Sequence, residues 1–247
     1  MTLRALAKPM PHDSSVTDWE TFAIHAKRTQ KADEAKAKAE HYGFRYSPES
    51  PDFIITVGGD GTFLQAEHRY PGIPKLPVRD SLICYRCHNE PLPELLSYLI
   101  AGHGRTRPEP KLEVHHAGQS LVAMNDVVLR NAHPTRAIRF GVRVDGQVVA
   151  EQVIGDGIVA ATPFGSTGYF RSVTRQHFED GFGLAFNNPT EAKPPLLLNK
   201  QAEVFLEVIR GPGQLAVDNL PEVRWVEAGD RLMIRQAEAI AWLVAHH

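Results

Sequence analysis

The sequence predicts an α/β N-terminal domain followed by a β-rich C-terminal domain. The first observation behind this is a glycine turn, Gly58-Gly59-Asp60-Gly61-Thr62, which closes the β-branched and aromatic run Asp52 to Val57 and leads into a helix-compatible segment. The second is a long helix-favouring stretch upstream of it, so that helix, strand, glycine turn and helix follow in the order of a parallel α/β sheet. The third is a change of period beyond Lys111, where β-branched runs alternate with turns. Gly102, Gly104, Pro108 and Pro110 mark the change, giving expected domains of 1–110 and 111–247, with the last residues able to return to the first domain.

Taken in order, Thr17 with Glu20 spells a capping box, and the Ala/Lys/Glu-rich run after it predicts one helix that stops at Gly43. Pro51 introduces the strand that ends at the glycine turn, and Phe63 to Tyr70 is the helix leaving it. Pro71, Pro74 and Pro77 read as breaks, Ser81 to Cys84 as the next strand and Leu92 to Ile100 as a short helix. In the second part, strands are expected at Leu121–Leu129, Ile138–Val144, Gln147–Ile154, Ile158–Ala161, Val204–Ile209 and Arg231–Arg235. Asp145-Gly146, between two of them, is a strong hairpin signal.

Composition narrows the function. Among 247 residues, Lys+Arg number 27 and Asp+Glu 29, a formal charge of −2 that exerts no overall pull on nucleic acid or an anionic membrane. Two cysteines cannot staple a chain of this length, and no stretch approaches the ~18 apolar residues of a membrane span. Met1 to Met10 lacks the apolar core of a signal peptide, so a cytoplasmic protein with a small ligand is expected.

Glycines at a strand-to-helix junction let phosphate oxygens approach bare backbone N–H groups, so Gly58, Gly59, Gly61 and Thr62 are candidate phosphate contacts. Asp60 beside them can orient a hydroxyl nucleophile, accept its proton late, or touch a nucleotide-borne magnesium ion; the plain alternative is that Asp-Gly builds a tight turn. There is no Walker Gly-Lys-Ser/Thr and no Gly-x-Gly-x-x-Gly after a strand. A second cluster lies downstream: Asn125-Asp126, Gly155-Asp156-Gly157, and Thr162-Pro163-Phe164-Gly165-Ser166-Thr167-Gly168-Tyr169. Its small hydroxyl residues and glycines can cradle a sugar or base, with Tyr169 available to stack. Adjacent strand residues point to opposite faces, so Asn125 and Asp126 can share a ligand only at a bulge or strand end.

These four blocks, in this order, resemble the NAD kinases, whose pattern is G-G-D-G-T, an N-E or N-D pair, G-D-G, and T-P-x-G-S-T-A-Y with a serine three residues later, here Ser172. Val217-Asp218-Asn219 resembles the family's late V-D-G or V-D-H turn. The resemblance implies an α/β domain, a β-rich domain and a site in the cleft between them, with NAD and ATP as substrates, magnesium delivered with ATP, and a homodimer or homotetramer. It implies that Asp60 acts on the 2′-hydroxyl of the adenosine ribose and that Asn125 and Asp126 hold the adenosine and diphosphate. Thr167, Gly168 and Ser172 would line the adenine, Asp156 and Tyr169 would serve the nicotinamide half, and Thr162 and Ser166 complete the cradle.

The chain also departs from that pattern. Where the family shows G-x-N-x-G-x-x-G-F-L, it has Cys84-Tyr85-Arg86-Cys87-His88-Asn89, and Gly168 replaces a usual alanine. The two cysteines read as structural or reduced thiols; a zinc site has no further ligands at a telling spacing, and haem attachment needs export. Two other functions compete: a superfamily kinase with a lipid or other acceptor, opposed by the Thr162–Tyr169 block, and a catalytically silent NAD/NADP sensor, opposed by the intact Asp60.

Overall fold

The structure is a computed structural model that describes residues 19–82 and 84–245. Its contacts divide it into one unit of Met1–Glu109 with Ala241–His247 and another of Pro110–Ile240.

The first unit is built from β1 (Thr21–Ala26), α1 (Thr29–His41), β2 (Arg45–Tyr46), β3 (Phe53–Gly58), α2 (Asp60–Arg69), β4 (Lys75–Arg79) and α3 (Leu92–Ile100). Its strands run parallel in the order β2-β1-β3-β4. Phe22, Phe53, Ile55, Leu76, Leu95 and Leu96 form the core under α1 and α3. Strands buried on both faces read as continuous apolar runs, and all six residues of β3 are buried.

Two expectations fail here. The helix expected up to Gly43 is instead a strand followed by a shorter helix, and Thr17, like Met1–Met10, lies outside the described residues. The reason is tertiary: Phe22 and Ala23 are fully buried in register with Phe53 and Ile54, and such burial overrides helix propensity, a weak local term. The strand after α2 is Lys75–Arg79 and not Ser81–Cys84; Ser81 and Leu82 are bends and Cys84 is in no strand, while Ile83 is outside the described residues. Pro77 belongs to that strand because its carbonyl, not its missing N–H, is used there, accepting the His88 N–H at 2.9 Å.

The second unit carries β5 (Arg105–His116, begun in the first unit), β6 (Gln119–Ala123), β7 (Asp126–Asn131), β8 (Ile138–Val144), β9 (Gln147–Gly155) and β10 (Gly157–Ala161). A 3₁₀ turn at Gly165–Thr167 leads to α4 (Tyr169–Thr174), then β11 (Phe182–Asn187), β12 (Leu196–Leu198), β13 (Val204–Arg210), β14 (Gly213–Val217), β15 (Arg224–Val226) and β16 (Arg231–Ala245). Six strands pair antiparallel in the order β12-β11-β10-β7-β14-β15; β16, β13, β8 and β9 form a second array, with β5 and β6 beside it. Val127, Leu129, Ile158 and Leu184 of the first array pack with Phe140, Val142, Val204 and Leu206 of the second. The Asp145-Gly146 hairpin is present, with both residues at positive φ, 50° and 77°, as a type I′ turn requires. The end of β16 returns to the first unit, where Leu243 pairs with Lys75.

The strand expected over Leu121–Leu129 is two strands, β6 and β7, broken by a bend at Met124-Asn125. That break leaves Asn125 and Asp126 at a strand end.

Candidate functional site

In the first unit the glycine turn joins β3 to α2. Gly58 is required sterically, since a Cβ there would lie 2.2 Å from Thr62 Oγ1, and the buried Thr62 packs into that space. Gly59 caps α2, its carbonyl accepting the N–H groups of Thr62 at 2.9 Å and Phe63 at 3.2 Å. Asp60 is the first helical residue, where the helix dipole favours a negative charge. Its carboxylate is engaged: Oδ2 accepts the Tyr85 N–H at 3.2 Å and Oδ1 the Arg86 N–H at 3.4 Å. Cys84 Sγ lies 3.1 Å from Oδ1, and Cys87 Sγ lies 3.5 Å from the Gly58 carbonyl oxygen. The cysteines, read from sequence as structural or reduced thiols, are joined as a disulfide.

In the second unit Asn125 and Asp126 stand at a strand end. The organiser is Asp218, at the end of β14 with a φ of 49°. Its carboxylate accepts three consecutive N–H groups, Met124 at 2.9 Å, Asn125 at 2.6 Å and Asp126 at 3.1 Å, while its own N–H donates to the Asp126 carbonyl at 2.9 Å. The bend this creates turns the Asn125 side chain back, so that Nδ2 donates to Asp126 Oδ2 at 2.7 Å. Asp126 is 5% exposed, and burial, then the negative charge of Asp218, pushes its carboxyl up to about 7 against the opposing bond from Asn125.

The Thr162–Ser172 segment wraps this bend. Thr162 and Ser166 are each 1% exposed, and both spend their hydroxyls on backbone. Thr162 Oγ1 donates to the Met124 carbonyl at 2.6 Å and accepts the Gly165 N–H at 3.0 Å; Ser166 Oγ donates to the carbonyls of Pro163 at 2.8 Å and Phe178 at 3.1 Å. Gly165 must be glycine, because a Cβ there would lie 2.0 Å from the Asn125 carbonyl oxygen. At Gly168 a Cβ would lie 3.5 Å from Asn125 Nδ2, so the missing methyl leaves open the space beside that amide. Thr167 is half-buried and Gly168, Tyr169 and Ser172 are exposed, with Ser172 Oγ donating to the Gly168 carbonyl at 3.3 Å.

Asp156 is not beside Asn125. It precedes β10 while Thr162 follows it, and at about 3.3 Å per residue that separates them by roughly 20 Å. Its Oδ1 accepts Asn131 Nδ2 at 3.2 Å and its Oδ2 accepts Asn188 Nδ2 at 3.0 Å. Tyr169 closes the interval: its hydroxyl accepts Asn187 Nδ2 at 2.9 Å, and the Asn187 carbonyl accepts the Asp156 N–H at 2.9 Å. Asn125, Gly168, Tyr169, Asn187 and Asp156 thus follow one another as an extended polar line. The sequence reading did not single out Asn131, Asn187 or Asn188, whose only signal is asparagine at strand ends, and it noted Asp218 only as part of a turn.

Known proteins resemble this chain in sequence and in fold. Residues 124–178 match the model of the ATP-NAD kinase C-terminal domain. The NAD kinase of Pyrococcus furiosus is 37% identical over 126 residues, 49% of this chain and 45% of that protein. The bifunctional NADP phosphatase/NAD kinase of Methanococcus maripaludis is 26% identical over 210 residues, 79% of this chain and 37% of that protein. The chain therefore spans half or less of the length of these relatives. The crystal structure of an NAD kinase from Archaeoglobus fulgidus in complex with ATP superposes with a TM-score of 0.77 over 92% of this chain and 94% of that one, at 20% identity. In fold, and in the sequence of residues 124–178, this chain is similar to the NAD kinases.

Proposed function

We propose that the chain is an NAD kinase, transferring the γ-phosphoryl group of ATP to the 2′-hydroxyl of the adenosine ribose of NAD to give NADP. The observation that supports this most is the polar line from Asn125 to Asp156, whose length suits a dinucleotide and whose members other than Asn187 lie in the segment that matches the ATP-NAD kinase C-terminal domain. Asn125 can donate and accept hydrogen bonds, which fits ribose hydroxyls and a base amide. Thr167, Gly168 and Ser172 line the adenine side, Tyr169 and Asp156 serve the far half, and Thr162 and Ser166 act as the scaffold that holds Asn125 in place.

Asp60 is the catalytic carboxylate. Phosphoryl transfer asks chiefly for positioning and charge neutralisation, with the hydroxyl proton taken late, so a carboxylate fixed at a helix start is suited to it. Gly58, Gly59, Gly61 and Thr62 shape the turn that receives phosphate. Magnesium enters on ATP; the Asp60 oxygens are donors of the hard kind it prefers, whereas the adjacent sulfurs are not. The chain works in the cytoplasm as a homodimer or homotetramer, a state favoured by the apolar side chains that Val148, Val149, Phe205 and Ile209 expose on β9 and β13.

The test is purified protein with ATP, magnesium and NAD, followed by an NADP-specific dehydrogenase. NADP should accumulate, and Asp60→Asn should lower kcat by about 100-fold or more while NAD affinity stays within several-fold. NAD binding without turnover in the wild type would favour the sensor reading instead.

A further inference from the structure

We propose that Cys84–Cys87 is a redox-active pair that gates the Asp60 carboxylate, opened by thiol–disulfide exchange with a dithiol reductant. The inference rests on the assignment of Asp60 as the catalytic group. The disulfide closes a ring of four residues, and the two residues inside that ring, Tyr85 and Arg86, are the ones whose N–H groups bond to the Asp60 oxygens. The bridge therefore holds a pair of donors on the carboxylate that has to receive the acceptor hydroxyl. Crosslinking removes freedom from the loop it closes, so both N–H groups stay in place as long as the sulfurs are joined.

The chemistry for opening it is present. Cys87 is half-buried while Cys84 is 5% exposed, so an incoming thiolate meets Cys87 Sγ first. Attack there breaks the S–S bond, forms a mixed disulfide on Cys87 and expels Cys84 as a thiolate. The second thiol of the reductant then displaces Cys87 and leaves as its own disulfide; two electrons and two protons pass to the cysteine pair. The expelled Cys84 thiolate emerges 3.1 Å from Asp60 Oδ1, where the two negative charges repel, and with the crosslink gone the loop is free to move away from the carboxylate. In a reducing compartment disulfides are rare, and those that occur there are mostly catalytic or redox-sensing. This is also the segment in which the chain leaves the pattern of the NAD kinases, so the device belongs to this sequence rather than to the shared site.

The experiment compares oxidised wild-type protein, wild-type protein treated with dithiothreitol and then freed of it, and the Cys84→Ser/Cys87→Ser variant. Alkylation should find no free thiol in the oxidised protein and two in the reduced. Amide hydrogen exchange in the segment Cys84–His88 should be faster after reduction, and equally fast in the variant whatever its treatment. NADP formation should rise at least about threefold in kcat on reduction, with KM for NAD within about twofold. Unchanged exchange and unchanged kcat, with NADP still formed, would overturn the gate and leave the kinase assignment standing. Absence of NADP in both states would overturn the kinase assignment, and the gate with it, even if exchange responds to reduction. Zinc bound stoichiometrically to both sulfurs in freshly purified protein would overturn the disulfide itself.

Discussion

Asp126 is held where its ionised form is disfavoured. It is buried and faces the charge of Asp218, which raises its carboxyl to about 7, above the ordinary carboxylate range. Between pH 4 and 7 the folded protein therefore keeps a proton that the unfolded chain has released, so the stability this carboxyl allows is full at low pH and falls as pH rises to about 7. Asp126→Asn should consequently gain stability over the wild type as pH rises from 4 to 8, by on the order of 2–4 kcal/mol, read from denaturant unfolding at both ends. A difference that does not change with pH would contradict it. Beside it, Asn125→Ala should weaken NAD binding by about 1–3 kcal/mol in calorimetry without unfolding the protein; unchanged affinity would remove Asn125 from the site. Asn125 and Asp126 were legible as a pair because two adjacent residues match the N-D pair of the pattern that the chain resembles. Asp218, which makes the bend, was not, because nothing at residue 218 announces three N–H partners more than ninety residues away.

At the scale of elements, the segments whose signal is local were read within a residue or two. The helix Leu92–Ile100 and the strands Ile138–Val144 and Gln147–Gly155, with the Asp145-Gly146 turn between them, are of this kind. Elements set by distant partners were not. β1 looks helical until Phe53 and Ile54 are placed beside it, and β4 contains a proline that argues against a strand until its carbonyl finds His88. Two residues before that proline, Lys75 is fully buried, with its ammonium bonded to the Glu67 carboxylate of α2 and to the Tyr70 carbonyl. This pair ties β4 to α2, the helix that begins at Asp60. Lys75→Met removes the cation from a buried carboxylate and should destabilise the fold by about 3–5 kcal/mol in chemical denaturation. A loss below about 1 kcal/mol would show that the pair carries little of the unit's stability.

At the scale of the molecule, the near-balance of 27 basic and 29 acidic residues leaves no general field to gather a polyanion, so binding rests on placed groups. Those groups fall into a phosphate-type turn with Asp60 in one unit and an extended polar line in the other, and the function proposed requires both. Among the described residues no helix is long and apolar enough to cross a membrane. The central claim is the identity of the bond that is made, and ³¹P NMR of the product from ATP, magnesium and NAD reads it directly. The account predicts a new monoester phosphorus on the 2′-oxygen of the adenosine ribose, absent with Asp60→Asn; phosphate on another acceptor, or inorganic phosphate alone, would contradict it.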